Sequence, residues 1–219
     1  LSHADADADT IAGYFTGLVA ERRRRPADDL VSALIAVRDG SDRLTETELL
    51  ATLVLLFLAG FETTTNLIGN GMYALLNHPA ELDALRNDPD LLPGAIEELL
   101  RLDTPVQLIP RLTAEPVTLP DGTVVPGDRH LLVLLGAANH DPRVFTDPGT
   151  LKLNRAEAAT LSFGSGIHYC LGAGLARLEA RMVFGGLLAR FRSIELVETP
   201  QWRDGLTVRG LNRLRLTLN

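Results

Sequence analysis

A long helical segment in the first half of the chain places the strongest constraint on the fold. Thr45 and Glu48 form a capping box at its start, and Asn77-His78-Pro79 closes it. At 1.5 Å per residue, a helix over residues 45–77 would be roughly 48 Å long, which is enough to cross a whole domain. Residues 49–58 are apolar nearly all round, a pattern typical of a helix covered on every side. The sequence therefore predicts a central helix that needs neighbours all around it. The remaining helices are too few to supply them, so we expect this chain by itself to expose apolar surface.

The remaining pattern predicts a mainly α fold with a small β-sheet. Apolar residues at helical spacing fill most of the first half, whereas short β-like runs begin after Pro105. An irregular meander follows at residues 141–160, ahead of one more helix. The predicted helices span residues 9–24, 28–38, 45–77, 79–86, 90–102 and 171–191, and the predicted strands lie at 117–119, 123–125, 130–135 and within 206–218.

Charge and cysteine content exclude several classes of function. The net charge is −7, with 28 acidic and 21 basic residues, which argues against a nucleic-acid partner. A single cysteine excludes an intrachain disulfide and fits a reducing compartment, so we expect a cytoplasmic protein. It also excludes a cysteine-rich zinc or iron–sulfur site. The longest apolar run, residues 49–60, is too short to span a bilayer, so no membrane association is expected.

Cys170 stands in a loop rich in glycine, directly before the predicted helix at residues 171–191. Unpaired N–H groups at a helix N-terminus favour an anion, so this position suits a thiolate. A single cysteine taken alone is more often an inert buried residue. The segment around it matches the pattern F-x-x-G-x-H-x-C-x-G-x-x-L-A-R from Phe163 to Arg177, with Gly164 in a variable position.

This segment resembles the haem-binding loop of the cytochrome P-450 family. The resemblance implies haem b (iron protoporphyrin IX) as cofactor and Cys170 as the axial ligand of its iron. His168 would lie at one propionate. The family's other cofactor-binding positions in this loop fall on Phe163, Gly164, Gly166 and Gly172.

A second unusual segment, Ala59-Gly60-Phe61-Glu62-Thr63, interrupts the apolar run of the long helix. A carboxylate beside hydroxyl groups is costly to bury unless it is hydrogen-bonded, so a polar segment facing solvent is one explanation. A hydrogen bond from Thr63 to the Ala59 carbonyl would loosen the helix there. The segment also resembles the family's oxygen-activation motif. That resemblance implies haem contact at Ala59 and Gly60, and a proton relay through Glu62 and Thr63.

Glu98 and Arg101 stand three residues apart on a predicted helix and can pair. Such pairs are usually surface features. Their place in the chain resembles the family's E-x-x-R motif, with Arg155 similar to the third member of its buried structural network. Arg111, which would otherwise be an ordinary charge at a strand edge, is similar to the family's propionate-binding arginine.

The resemblance implies a monooxygenase that inserts one atom of dioxygen into a small apolar organic substrate. Electrons would come from a ferredoxin or flavodoxin. The family's pocket positions fall on Val106, Leu108, Ile109 and Leu211. Members of the family are about twice as long, so we expect residues 1–219 to be the C-terminal portion of a single cytochrome P-450 domain, its N-terminal half being absent. The alternative is a truncated remnant without activity.

Overall fold

The computed structural model describes residues 2–37, 44–157 and 159–219. The chain forms two compact units, Leu1–Glu62 and Thr63–Asn219. The boundary between them falls within one long helix. The described part is mainly helical with three small antiparallel sheets, as the sequence predicts.

The first unit contains α1 (Ser2–Arg24), α2 (Leu30–Ala36) and the first part of α3 (Glu46–Leu76). Asp29 caps α2 by accepting a hydrogen bond from the Ser32 N–H at 2.8 Å. The predicted helix at residues 28–38 is therefore shorter, and its end at Arg38 lies outside the described residues. The buried apolar residues that hold this unit together are few: Phe15, Val19, Leu49 and Leu53.

The long helix α3 begins and ends within one residue of its predicted limits. The capping box is present, because the Thr45 N–H donates to Glu48 Oε2 at 2.8 Å and the Glu48 N–H donates to Thr45 Oγ1 at 3.2 Å. The helix continues without interruption through the polar Gly60 to Thr65 segment. Any loosening of the helix at Thr63 therefore leaves α3 unbroken.

Residues 49–58 are covered on one side only in this structure, which agrees with the expectation that this chain by itself exposes apolar surface. Only Leu49 and Leu53 in that segment are buried. Leu55, Phe57 and Leu58 are more than half exposed. The few helices of the first unit cover one stripe of α3 and leave the rest of its apolar surface open.

By length and composition, α3 is also apolar enough to cross a membrane. The apolar run at residues 49–60 is shorter than a membrane span, and α3 reaches the necessary length only because the helix continues beyond it to Leu76. One such helix is weak evidence, since the central helix of a soluble protein has the same length and composition. The second part of α3 also carries Asn66 and Asn70, whose side chains are buried within the protein.

The second unit packs α4 (Pro79–Asn87), α5 (Leu92–Leu102) and α7 (Ala173–Arg190) against the second part of α3. A Cβ atom on Gly71 would lie 2.8 Å from the Phe184 ring, so glycine permits the close approach of α3 to α7. A short helix, α6 (Leu135–Ala138), follows the strands. The buried apolar core of this unit comprises Leu67, Met72, Ala74, Leu75, Leu85, Ala95, Ile96, Leu99, Leu100, Leu151, Leu153, Ala180, Phe184 and Ile194.

Three antiparallel strand pairs complete the second unit. Strand β1 (Leu108–Leu112) pairs with β4 (His130–Leu134), and β2 (Val117–Thr118) pairs with β3 (Val124–Val125). Strand β5 (Ile194–Leu196) pairs with β6 (Leu216–Leu218). Strands β1 and β5 are not among the strands that the sequence pattern predicts. The final strand was predicted to begin as early as residue 206, but this part of the structure contains two isolated bridges instead, because the chain reverses direction between Arg203 and Gly210.

Candidate cofactor site around Cys170

The loop from Phe163 to Cys170 is a closed turn. The Cys170 N–H donates to the Phe163 carbonyl at 3.0 Å, and the Tyr169 N–H donates to the Gly166 carbonyl at 3.0 Å. Gly164 and Gly166 have φ values of 71° and 68°, which favour glycine over residues with a Cβ atom. The two glycines therefore let this short loop close, and the closure presents Cys170 at its end.

Cys170 lies on the surface of the described structure, next to apolar side chains that are also exposed. Ile167 is 98% exposed and Leu171 is 90% exposed. Gly172 is the N-cap residue of α7, so no side chain caps the N-terminus of this helix. The loop thus combines a thiol, an apolar surface and the N-terminus of a helix, where an anion is favoured.

Arg177, on the second turn of α7, connects this loop to α5. Its Nε and Nη2 atoms donate to the two oxygens of Glu97, at 2.5 and 3.0 Å, and Nη1 donates to the Tyr169 hydroxyl at 3.2 Å. The guanidinium carbon lies 4.5 Å from the centre of the Phe163 ring. The hydrogen bond with Glu97 is the main reason why the pKa of Arg177 is raised above its ordinary value. The sequence gives no signal for this contact, because Glu97 is 80 residues away.

The structure brings Glu98, Arg101 and Arg155 into one buried network. Glu98 and Arg101 are 3% and 2% exposed, and Arg101 binds both carboxylate oxygens at 2.7 and 2.9 Å. Arg155 Nε donates to Glu98 Oε2 at 2.9 Å. The Lys152 N–H donates to Glu98 Oε1 at 3.0 Å, so this main-chain contact does not depend on the lysine side chain.

The network also holds the segment that leads to the cysteine loop. Arg101 Nη1 donates to the carbonyls of Asn139 and Pro148 at 2.9 and 2.7 Å. Asn139, for which the sequence pattern predicts no role, donates to Ser162 Oγ at 2.9 Å, and Ser162 precedes Phe163. An unbroken chain of hydrogen bonds therefore runs from α5 to the start of the cysteine loop.

Arg111 and His168 are the two predicted propionate ligands. Arg111 lies half-buried on β1, opposite Leu131, and donates to the Pro110 carbonyl at 2.9 Å. His168 lies exposed in the cysteine loop. Within residues 2–37, 44–157 and 159–219, neither side chain forms an ion pair with an acidic group. Both are therefore available to bind a carboxylate.

The predicted oxygen-activation residues all lie on α3. Ala59 and Gly60 are exposed, whereas Glu62 and Thr63 are half-buried. The boundary between the two compact units falls between Glu62 and Thr63. The predicted roles of these four residues stay predictions.

The predicted substrate positions do not share one surface. Leu108 and Ile109 are neighbours on β1, so their side chains point to opposite faces, and Ile109 shares its face with Arg111. Val106 forms a bridge with Val208, and Leu211 forms one with Trp202. Leu211 is only 8% exposed. Ile109 therefore shares a face of β1 with Arg111, whereas Leu211 is buried.

The residues present fit haem b. A thiolate is a known axial ligand of haem iron, the exposed Ile167 and Leu171 suit the apolar macrocycle, and a guanidinium suits a propionate. The glycine positions of the loop carry no side chain that would obstruct a flat cofactor. The residues at this site therefore fit the haem that the cysteine loop implies.

Comparison with known proteins supports this interpretation. The family profile described as Cytochrome P450 matches residues 4–208. Cytochrome P450 107B1 of Saccharopolyspora erythraea is 47% identical over 205 residues, which are 92% of this chain and 50% of that protein. Cytochrome P450 monooxygenase PikC of Streptomyces venezuelae is 46% identical over 209 residues, which are 93% of this chain and 50% of that protein.

A solved structure shows the same architecture. The structure of P450BioI in complex with hexadec-9Z-enoic acid ligated acyl carrier protein has a TM-score of 0.94 at 38% identity, covering 100% of this chain and 56% of that one. The chain spans about half the length of the curated relatives it matches. With its cysteine loop and its buried Glu98 network, the chain belongs to the cytochrome P450 family, whose members carry haem.

Proposed function

We propose that the chain is part of a haem-thiolate monooxygenase, with Cys170 as the protein ligand of the haem iron. The single observation that carries this proposal is the closed glycine turn that presents Cys170 beside exposed apolar side chains at the N-terminus of α7. When bound, haem supplies the activation of dioxygen and the transfer of one oxygen atom to the substrate. We also propose that residues 1–219 form the C-terminal portion of a single P450 domain.

The balanced reaction converts a C–H bond of the substrate to C–OH, with two electrons and two protons reducing the second oxygen atom to water. We propose a ferredoxin or flavodoxin as the electron donor, a small apolar organic substrate and a cytoplasmic location. Glu62 and Thr63 would hold and pass the protons. Arg111 and His168 would orient the cofactor by binding its propionates, while main-chain N–H groups near Cys170 would stabilise the thiolate.

A reduced carbon monoxide difference spectrum tests the proposal directly. We expect the haem-loaded chain to show the red-shifted Soret band of thiolate ligation. Cys170→Ala should abolish that band, and Cys170→His should replace it with an imidazole-type spectrum. Ser165→Ala changes an exposed loop residue without a capping bond and should leave the band intact. A thiolate-type band in Cys170→Ala would refute the assignment, because the chain has no other cysteine.

The proton relay has its own test. We expect Thr63→Ala to raise the amount of peroxide released per electron pair consumed, with the haem content unchanged, since removing a proton route uncouples electron uptake from oxygen transfer. Thr65→Ala, which makes the same change at an exposed position on α3, is the control. An unchanged ratio in Thr63→Ala would show that Thr63 is a packing residue.

A second candidate is a chain that has the family's sequence but no activity by itself. The observation in its favour is the exposed apolar surface of α3 at Leu55, Phe57 and Leu58. Such a surface favours association and weak haem binding. The carbon monoxide difference spectrum separates the two candidates. Size-exclusion chromatography with a hydrophobic dye tests the exposed surface: a monomer with stoichiometric haem and little dye binding would show that the chain folds independently.

A further inference from the structure

The contacts of Arg177 extend beyond an ion pair. Its guanidinium contacts three side chains at once: Glu97 on α5, Tyr169 in the cysteine loop and Phe163 at the start of that loop. The motif assigns positions to Phe163 and Arg177, but it gives Arg177 no task and does not include Glu97. We call Glu97, Phe163, Tyr169 and Arg177 the Arg177 clamp.

The ion pair alone does not explain this arrangement. The side chains of Arg177 and Glu97 are 27% and 40% exposed, and an ion pair at such exposure contributes little to stability. The arrangement is nevertheless specific, because Glu97 binds the guanidinium through two parallel hydrogen bonds and so fixes its plane. With its plane fixed, the guanidinium lies over the Phe163 ring.

The clamp acts on both ends of the turn that presents Cys170. The Phe163 carbonyl accepts the Cys170 N–H, and Tyr169 is the residue directly before Cys170. The Phe163 and Tyr169 rings are themselves neighbours, with centroids 6.4 Å apart. A guanidinium that lies over the Phe163 ring and donates to the Tyr169 hydroxyl therefore holds the two ends of the loop together.

We propose that Arg177, oriented by Glu97, is a positioning residue that keeps the Phe163–Cys170 turn closed and so fixes the cysteine sulfur. The consequence for the cofactor rests on the proposed function, whereas the effect on the loop does not. Loss of the clamp frees the loop to open, while α5 and α7 remain packed through their apolar core. Lysine at position 177 keeps the charge but has neither the planar fork nor the stacking surface, so it restores only part of the closure.

Hydrogen exchange of the Cys170 amide measures loop closure without any cofactor. We expect Arg177→Met to speed this exchange about tenfold, which is the factor for losing one charge-assisted hydrogen bond. Glu97→Gln and Arg177→Lys should give smaller increases, and the amides of the β5–β6 pair should exchange as before. Arg181→Met removes an exposed arginine from the same helix and should change nothing.

Equal exchange at Cys170 in Arg177→Met and the original chain would overturn the proposal. An equal increase at Cys170 and in the β5–β6 pair would also overturn it, because it would indicate general unfolding. If Arg177→Met does not fold, hydrogen exchange of the Cys170 amide in Glu97→Gln tests the proposal by the same two criteria.

The haem-loaded chain provides a second measurement. We expect Arg177→Met to lower the share of bound haem with the thiolate-type carbon monoxide spectrum, at equal total haem, and Arg177→Lys to restore part of it. An unchanged share would overturn the link to the cofactor. If the original chain shows no thiolate-type spectrum at all, the proposed function fails. Hydrogen exchange of the Cys170 amide still tests whether the Arg177 clamp keeps the loop closed.

Discussion

The two parts of α3 have similar lengths and very different surroundings. Before residue 62, only Leu49 and Leu53 are buried, although the sequence there is almost entirely apolar. After residue 62 the sequence is more polar, yet Asn66, Leu67, Asn70, Met72 and Leu75 are buried. Apolar composition therefore indicates which surface needs cover, whereas the neighbouring elements decide which surface receives it.

The ion pairs of the two units also differ in burial. The second unit buries the Glu98 network among main-chain carbonyls. In the first unit, the Arg22–Asp29 and Arg23–Glu46 pairs stay partly or largely exposed. Charged contacts should therefore matter far more for the stability of the second unit than for that of the first.

The largest effect is expected from the buried network. Glu98→Ala leaves the buried Arg101 and the side chain of Arg155 without their carboxylate, and breaking a buried ion pair in this way costs about 3–5 kcal/mol. Denaturant unfolding of the second unit measures this loss. Arg143→Ala breaks an exposed pair with Asp141 in the same region and serves as the control. Equal losses in the two variants would contradict the contrast between buried and exposed charges.

An effect of intermediate size is expected from two leucines on α3 that differ in burial. Leu75 is fully buried and Leu55 is 64% exposed. Leu75→Ala should lower the free energy of unfolding by about 2–5 kcal/mol, whereas Leu55→Ala should change it by less than about 0.5 kcal/mol. Thermal or denaturant unfolding of the two variants measures these changes in the free energy of unfolding. A large loss in Leu55→Ala would show that the first part of α3 is covered in solution.

The smallest effect concerns Asp29 in the first unit. The side-chain hydrogen bond from Arg22, followed by the Ser32 N–H, lowers the pKa of Asp29 from its ordinary value of 3.8 to about 2. Because the folded pKa is the lower one, the carboxylate stabilises the start of α2 above pH 3.8, and this contribution disappears as the pH falls through about 2. The Ser32 amide chemical shift should titrate near pH 2, and Arg22→Gln should move that midpoint upward. A midpoint near 3.8 in the original chain would refute this.

Local signals predicted much of the fold. The capping box placed the start of α3 at Thr45, and Pro79 placed its end, because caps and proline act through the main chain of a few adjacent residues. The short strand β1 was missed because its partner β4 lies about twenty residues further on and its own residues alternate poorly. Strand pairing is a long-range contact, and a short strand carries little periodicity of its own.

The sequence by itself determined the family, the glycine turn at Cys170 and the E-x-x-R pair, since each of these depends on residue types at fixed spacing. Only the tertiary structure decided that Leu55 is exposed and Leu75 buried, that Ile109 rather than Leu108 shares a face with Arg111, and that Glu97 meets Arg177. The physical reason is the range of the interactions. Helix caps and turns depend on a few neighbouring residues, whereas burial and the Glu97–Arg177 contact depend on segments far apart in the chain, 80 residues apart in that contact.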